Sequence, residues 1–308
     1  MKRKARRVDL RHLATEKTNA ASASLDRKSS LEIVRIINLE DAKVARAVER
    51  ALPQIAHAID LVAAALAKGG RLIYVGAGTS GRIAALDAAE CPPTFNTDRK
   101  MVQFVIAGGR RALAAAVEAN EDSRQLGRKE MAKKKPGKND VVVGIAASGR
   151  TPFTVAAVEY ARARGAQTIA VTGNRNSPLE KAAHLAIVAS VGPEVIAGST
   201  RMKAGTAEKM ILNMLSTGVM TRLGYVYGNL MVNVHLKNQK LAERGRAILE
   251  QAARLDHNRA RKLLAAADNR VAVALVMAKA GVSVAAAVTA LNQSGGHVRR
   301  AIEVARSM

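Results

Sequence analysis

The strongest constraint on this chain is a repeated order of segments. An apolar run of strand length is followed, in most cases, by a turn of glycine, serine or threonine and then by a stretch of helical periodicity. The runs lie at 72–75, 102–106, 141–145, 168–171 and 185–188. Strands that alternate with helices build a doubly wound parallel sheet, because each parallel connection needs a crossover long enough to return the chain. The pattern predicts an α/β fold with a five-stranded parallel sheet. At 308 residues there is room for that sheet and one small further domain.

The flanks are helical. Residues 1–30 are polar and predict an arm with little regular structure, followed by a first helix near 30–38. A second helical stretch starts near Asp41, with Val44, Val48, Leu52, Ile55 and Ile59 at 3–4 spacing. Gly69-Gly70 stop it, and Pro53 kinks or divides it. Beyond the sheet, helices near 203–223 and 239–254 precede three short helical patterns near 257–267, 269–280 and 283–306. The expected organisation is an arm and first helix over 1–40, a sheet domain over 41–250, and a small C-terminal three-helix, UBA-like domain over 251–308.

Three loops fall at the carboxyl ends of strands or at the start of helices, the edge where open α/β sheets bind ligands. The first is Gly76-Ala77-Gly78-Thr79-Ser80-Gly81-Arg82. Its glycines let the backbone approach an anion, and the helix after it offers free N–H groups. A dinucleotide reading fails because no acidic residue ends the next strand, which runs into Ala107-Gly108-Gly109. A nucleotide P-loop fails because no Gly-Lys-Ser/Thr follows. The second loop is Ala147-Ser148-Gly149-Arg150-Thr151-Pro152, and the third runs from Gly198-Ser199-Thr200 to Thr206. Three hydroxyl-rich loops without acidic metal ligands suit a phosphate held by hydroxyls and backbone N–H groups.

Two acidic spots accompany the loops. Glu90 lies in Asp87-Ala88-Ala89-Glu90-Cys91-Pro92-Pro93, where the prolines predict that a helix ends. Glu121 lies in Glu118-Ala119-Asn120-Glu121-Asp122. Carboxylates beside a phosphate loop weaken anion binding unless they carry protons, so both are candidate acid/base groups. The alternative is local capping or ion pairing for Glu90, and plain surface exposure for Glu118 and Asp122. Cys91 reads as a buried thiol. The six histidines show no paired metal spacing, with His235 a weak exception and His12 unremarkable. No metal site and no cofactor is expected.

Composition narrows the partner. Lys+Arg 49 against Asp+Glu 25 gives a net charge of +24, which attracts nucleic acid, acidic membrane or phosphorylated metabolites. Four Tyr, three Phe and no Trp leave few rings for base stacking, so no specific nucleic acid is expected. The dense basic clusters, residues 1–7 and 133–138, read as solvated. No apolar run approaches the roughly 18–20 residues that span a bilayer, and no apolar segment follows the basic start as in a secretory signal. A single cysteine excludes an internal disulfide. These features lead to the expectation of a cytoplasmic protein with no membrane partner.

The motifs together resemble a known family. Thr15-Glu16-Lys17-Thr18-Asn19, the loops at 76–82 and 148–153, the segment 87–94, the stretch around Glu121, Gly192-Pro193-Glu194-Val195-Ile196, 198–208 and Tyr227-Gly228-Asn229-Leu230-Met231 are similar to those of the N-acetylmuramic acid 6-phosphate etherases. These are sugar isomerase (SIS) domain proteins related to the glucokinase regulatory proteins. The resemblance runs from about residue 14 to the end, and departs from the usual pattern at Asn120. It implies a SIS-type sheet and a lyase that releases D-lactate from N-acetylmuramic acid 6-phosphate, in cell-wall amino-sugar recycling. It implies Glu90 as proton donor to the leaving lactate oxygen and Glu121 as the second acid/base group. Gly78, Thr79, Ser80, Ser148, Arg150, Thr151, Ser199 and Thr200 are the expected substrate contacts, and a homodimer the expected assembly. A sugar-phosphate aldose–ketose isomerase and a non-catalytic sugar-phosphate sensor are the alternatives. A sugar-sensing transcription factor would need a DNA-binding domain before the sheet, for which 30–40 residues leave no room.

Overall fold

The computed structural model describes residues 14–115, 117, 120–234, 236 and 239–308. The readings placed on the basic residues 1–7, on His12, on Glu118 and on His235 lie outside the described residues.

All five apolar runs are strands: β1 (Leu72–Gly76), β2 (Val102–Ile106), β3 (Val141–Ile145), β4 (Gln167–Thr172) and β5 (Leu185–Val188). They form one sheet in the order β2-β1-β3-β4-β5, with every neighbouring pair parallel. The α/β fold is as predicted. All residues of β1 and β3 are buried, which is why their sequences are continuous apolar runs and do not alternate. The chain leaves β1 toward one edge of the sheet and returns at β3 to build toward the other. β1 and β3 therefore flank the switch point where open sheets of this kind hold ligands.

The helices are α1 (Ser30–Glu49), α2 (Leu52–Ala67), α3 (Gly78–Phe95), α4 (Arg124–Lys133), α5 (Pro152–Ala163), α6 (Pro178–Ala182) and α7 (Lys203–Arg222). They are followed by α8 (Gln239–Ala253), α9 (His257–Ala266), α10 (Val271–Ala280), α11 (Val284–Gln293) and α12 (Val298–Arg306).

Three expectations are corrected. The break near 38–41 is absent. A capping box of Ser29 and Glu32 starts α1, and no glycine or proline interrupts it before Glu49. The division comes instead at Arg50-Ala51, with Pro53 in the first turn of α2, where its missing N–H is harmless. Second, α3 does not end at Glu90 but passes through Pro92 and Pro93 to Phe95. Proline's φ suits a helix, and its cost is the lost bond to the carbonyl four residues back. In the last turn Phe95 is buried and the Asn96 N–H donates to Pro92 O (2.8 Å). Third, the stretch 283–306 is two helices, α11 and α12, because Gly295 and Gly296 take positive φ between them. Four helices follow Asp256, not three.

Within the stretch expected as an arm, residues 14–27 contain short regular turns. Three short 3-10 turns are tied to the segment before α7. Asn19 Nδ2 donates to Pro193 O (3.2 Å), Ser22 Oγ to Val195 O (2.7 Å), and Gly198 N–H to Thr15 O (3.2 Å).

The chain divides into two compact units, Met1–Ala88 with Val102–Leu215, and Ala89–Met101 with Ser216–Met308. The first holds the sheet. The second has its own core, in which Leu249, Ala274, Leu275, Val276 and Ala287 are fully buried. Among the described residues no single helix is long and apolar enough to cross a membrane.

Candidate active site

The first loop is short because β1 ends at Gly76 and α3 begins at Gly78. Gly78 has φ +51°, a left-handed conformation that glycine adopts without strain. The first turn of a helix leaves N–H groups without intrahelical partners, and here that turn carries Thr79 and Ser80. Arg82, one turn on, donates from Nε to Ala112 O and from a terminal nitrogen to Ala115 O, both at 2.9 Å. It thereby holds the segment after β2 against α3.

That segment leads to Glu121. The Glu121 carbonyl accepts the Phe153 N–H (3.0 Å) at the start of α5, so residue 121 is pinned to the second loop. Its carboxylate reaches the first loop. A Cβ on Gly78 would lie 3.1 Å from Glu121 Oε1. Ser123 then caps α4, its Oγ accepting the Leu126 N–H (3.1 Å). One residue thus joins both phosphate-type loops at the switch point.

In the second loop, Ser148 Oγ accepts the Arg150 N–H (3.2 Å), and Thr151 starts α5 without using its side chain as a cap. Arg150 is exposed, and Ser148 and Thr151 are half-buried.

The third loop is drawn to the first through α7. Gly205 packs so closely that a Cβ there would lie 3.3 Å from Thr79 Cγ2. One turn further, Ser80 Oγ and Glu208 Oε1 are 2.9 Å apart. Burial pushes the Glu208 carboxyl up to about 8, with the Ser80 hydrogen bond pulling the other way. The start of α7 is already occupied by protein. Glu194, fully buried, accepts the N–H groups of Lys203 (3.0 Å) and Ala204 (2.9 Å). Lys203 Nζ pairs with Glu40 Oε2 at 2.6 Å, and both are buried. Burial raises the Glu40 carboxyl, but hydrogen bonds from Lys203, Lys43 and Asn19 outweigh it and hold the group well below the usual range. Those two N–H groups are unavailable to a ligand, and Ser199 and Thr200, the expected contacts of this loop, are half-buried.

The first unit therefore brings together Gly78, Thr79, Ser80, Glu121 and the second loop. Glu90 is not among them. It is exposed, near the end of α3, and belongs to the second unit. Cys91 is buried, as read. His184 serves the sheet, its Nδ1 2.9 Å from Thr168 Oγ1. Among the described residues no group of three or more His, Cys, Asp or Glu could hold a metal ion.

Sequence reasoning missed Glu208, Glu194 and the Glu40–Lys203 pair. A signal was present for two of them. Glu40 shares the face of Val44, Ala47 and Val48, and Glu208 that of Ala204 and Ile211, so helical periodicity places each acid among buried positions.

Residues 54–162 match the model of the glucokinase regulatory protein N-terminal SIS domain, and 128–217 that of the SIS domain. An N-acetylmuramic acid 6-phosphate etherase of Aeromonas hydrophila is 50% identical over 291 residues, 94% of this chain and 98% of the relative. The one from Clostridium beijerinckii is 45% identical over 96% of this chain and 97% of the relative. Among solved structures, a phosphoheptose isomerase from Francisella tularensis superposes with a TM-score of 0.51 at 21% identity, covering 63% of this chain and all of that one.

Proposed function

We infer that this chain, which belongs to the N-acetylmuramic acid 6-phosphate etherase family, is a carbon–oxygen lyase that cleaves the D-lactyl ether of N-acetylmuramic acid 6-phosphate. The products are N-acetylglucosamine 6-phosphate and D-lactate, as amino-sugar recycling requires. The observation that carries the site reading is the Glu121 carboxylate set beside Gly78 at the first turn of α3.

The chemistry follows from the substrate. An ether at C3 is inert until the sugar opens and the C1 aldehyde acidifies the C2 proton. A base removes that proton, the C3–O bond breaks, and the lactate oxygen takes a proton as it leaves. Water then adds at C3 and a proton returns to C2. Two proton-carrying groups are needed. Glu121 suits the C2 side, because the loops that would hold phosphate and sugar meet at its carboxylate. Glu90 is assigned to the leaving oxygen. Gly78, Thr79, Ser80, Ser148, Arg150, Thr151, Ser199 and Thr200 are assigned to the sugar phosphate. The net charge of +24 favours a substrate with both phosphate and carboxylate.

A glutamic acid that donates a proton at neutral pH needs burial or a nearby carboxylate to raise its pKa. Glu90 is exposed on the single chain. The proposal includes a homodimer in the cytoplasm whose second copy covers Glu90 and supplies that burial. All residues assigned to the chemistry fall within 41–250. An aldose–ketose isomerase is not favoured, since the etherase relatives are 45–50% identical over nearly the whole chain and the isomerase neighbour only 21%.

The test is a D-lactate release assay with Glu121→Gln and Glu90→Gln. Each should fold and lose roughly 10²–10⁴-fold in turnover, the range for one general acid or base. Solvent deuterium exchange at C2 divides the roles. Glu90→Gln should still exchange the C2 proton while releasing no lactate, and Glu121→Gln should do neither. Near-full turnover in either variant removes its assignment.

A further inference from the structure

Glu208 is the buried carboxyl that the reaction above does not use. It stands on α7, 4% exposed, with one oxygen on Ser80 and the other, Oε2, buried without a hydrogen-bond partner. It lines a narrow cavity with Ala147, Val171, Ala189, Ala207 and Ile211. The polar side chain beside them, Thr172, already donates its hydroxyl to Ala147 O (3.3 Å) and accepts the Asn174 N–H (3.2 Å). None of these neighbours carries charge. At the start of the same helix, Lys203 is paired with Glu40, and Glu194 is bound by the N–H groups of Lys203 and Ala204.

An ionised carboxylate in such a place would have one oxygen with neither donor nor cation, which is the costly case for a buried charge. A neutral carboxyl has one O–H to give, and among the described residues the side chain hydrogen-bonded to it is Ser80 Oγ. The direction of that bond decides what Ser80 can do. Beside an ionised Glu208, Ser80 must turn its own proton inward and present a lone pair to any ligand. Beside the neutral acid, Ser80 accepts and its proton is released for use elsewhere.

We propose that Glu208 is a positioning residue: it stays the neutral acid, donates its O–H to Ser80 Oγ, and so turns the Ser80 O–H toward the phosphate of the bound sugar. This rests on the reading of Ser80 as a phosphate contact. It adds that anion binding at the first loop is coupled to one proton held behind it, on a residue that never touches substrate. The sign follows directly. The binding-competent form is protonated, so affinity is full below the folded pKa of Glu208 and falls as pH rises through it.

Calorimetric titration with N-acetylglucosamine 6-phosphate tests this, with unphosphorylated N-acetylglucosamine as control. Work above about pH 7 keeps the phosphate, whose second pKa is about 6, doubly ionised. Wild-type affinity should fall by about tenfold per pH unit once pH exceeds the Glu208 value of about 8. Glu208→Gln keeps a neutral donor, so it should retain the neutral-pH affinity and lose the alkaline fall. Ser80→Ala should bind about ten- to a hundredfold more weakly at every pH. A Glu208→Gln protein that keeps the wild-type pH dependence, or that binds as weakly as Ser80→Ala at neutral pH, overturns the proposal while leaving the phosphate loop intact. Unchanged affinity in Ser80→Ala overturns the loop reading itself, and the proposal with it. Should Glu208→Gln not fold, infrared spectra of the wild type decide. A protonated-carboxyl band at neutral pH that fades on alkalinisation and shifts in Ser80→Ala supports the proposal, and its absence sinks it.

Discussion

Replacing Gly127 by alanine sets two effects of opposite sign against each other. Gly127 lies within α4, where alanine is the better helix former by about 1 kcal/mol. The residue is buried against α5, and a Cβ there would stand 2.1 Å from the Phe153 carbonyl oxygen and 2.9 Å from its carbon. Carbon–oxygen contacts of this kind settle near 3.3 Å, so α4 must retreat by about 1 Å. The obstacle is backbone and cannot rotate away, which puts the overlap at the upper end of the usual range, about 3 kcal/mol. The net expectation is a loss of about 2 kcal/mol, or about 4–8 °C in Tm for a unit of this size. Activity should suffer separately. The Phe153 N–H holds the Glu121 carbonyl at 3.0 Å, so a retreat of α4 moves the Glu121 carboxylate away from Gly78. Misplacement by about 1 Å lowers turnover by up to about 10²-fold. Calorimetry and D-lactate release on the folded protein measure the two effects. Gly137→Ala is the control, because no atom lies within 4 Å of its added Cβ. It should be neutral or stabilising by less than about 1 kcal/mol. A Gly127→Ala protein more stable than wild type would mean that helix propensity wins and that α4 and α5 do not touch as described.

Two further outcomes follow from buried charges. Lys203→Met takes from the buried Glu40 its one buried cation and leaves it Lys43 and Asn19, so it should cost less than the roughly 3–5 kcal/mol of a wholly unpaired buried charge, most of it recovered in the double variant with Glu40→Leu; denaturant unfolding of the four proteins closes the cycle, and a double variant no better than the single one contradicts it. For Asp140, burial raises the carboxyl, but hydrogen bonds from Arg71 and from the Gly137 N–H outweigh it and lower the folded pKa. The stability it contributes is present above the unfolded value of about 3.9 and lost as pH falls through the folded one. Asp140→Asn should therefore lie about 1–3 kcal/mol below wild type at neutral pH. That gap should narrow below about pH 4, and a gap unchanged in acid would refute the pairing.

What the sequence determined by itself was the alternation of buried strands and amphipathic helices, and with it the parallel α/β sheet. These are local properties: a strand buried on both faces must be apolar throughout, and a crossover helix must show one apolar face. The glycine and hydroxyl loops were legible for the same reason, since a tight turn before a helix restricts residue type at each position. Local rules also misled. Two prolines predicted the end of α3 at Glu90, yet the helix continues through them to the buried Phe95. Only the tertiary structure decided which groups meet. Phe153 fixes the backbone of Glu121 from 32 residues away, and Ser80 meets Glu208 across 128. No periodicity encodes such pairs, because their partners are chosen by the order of the strands and the packing of α7 across the sheet edge. The same holds for protonation. Glu208 is sealed among apolar side chains, where a charge would lack solvent, and no local pattern in the sequence shows that enclosure.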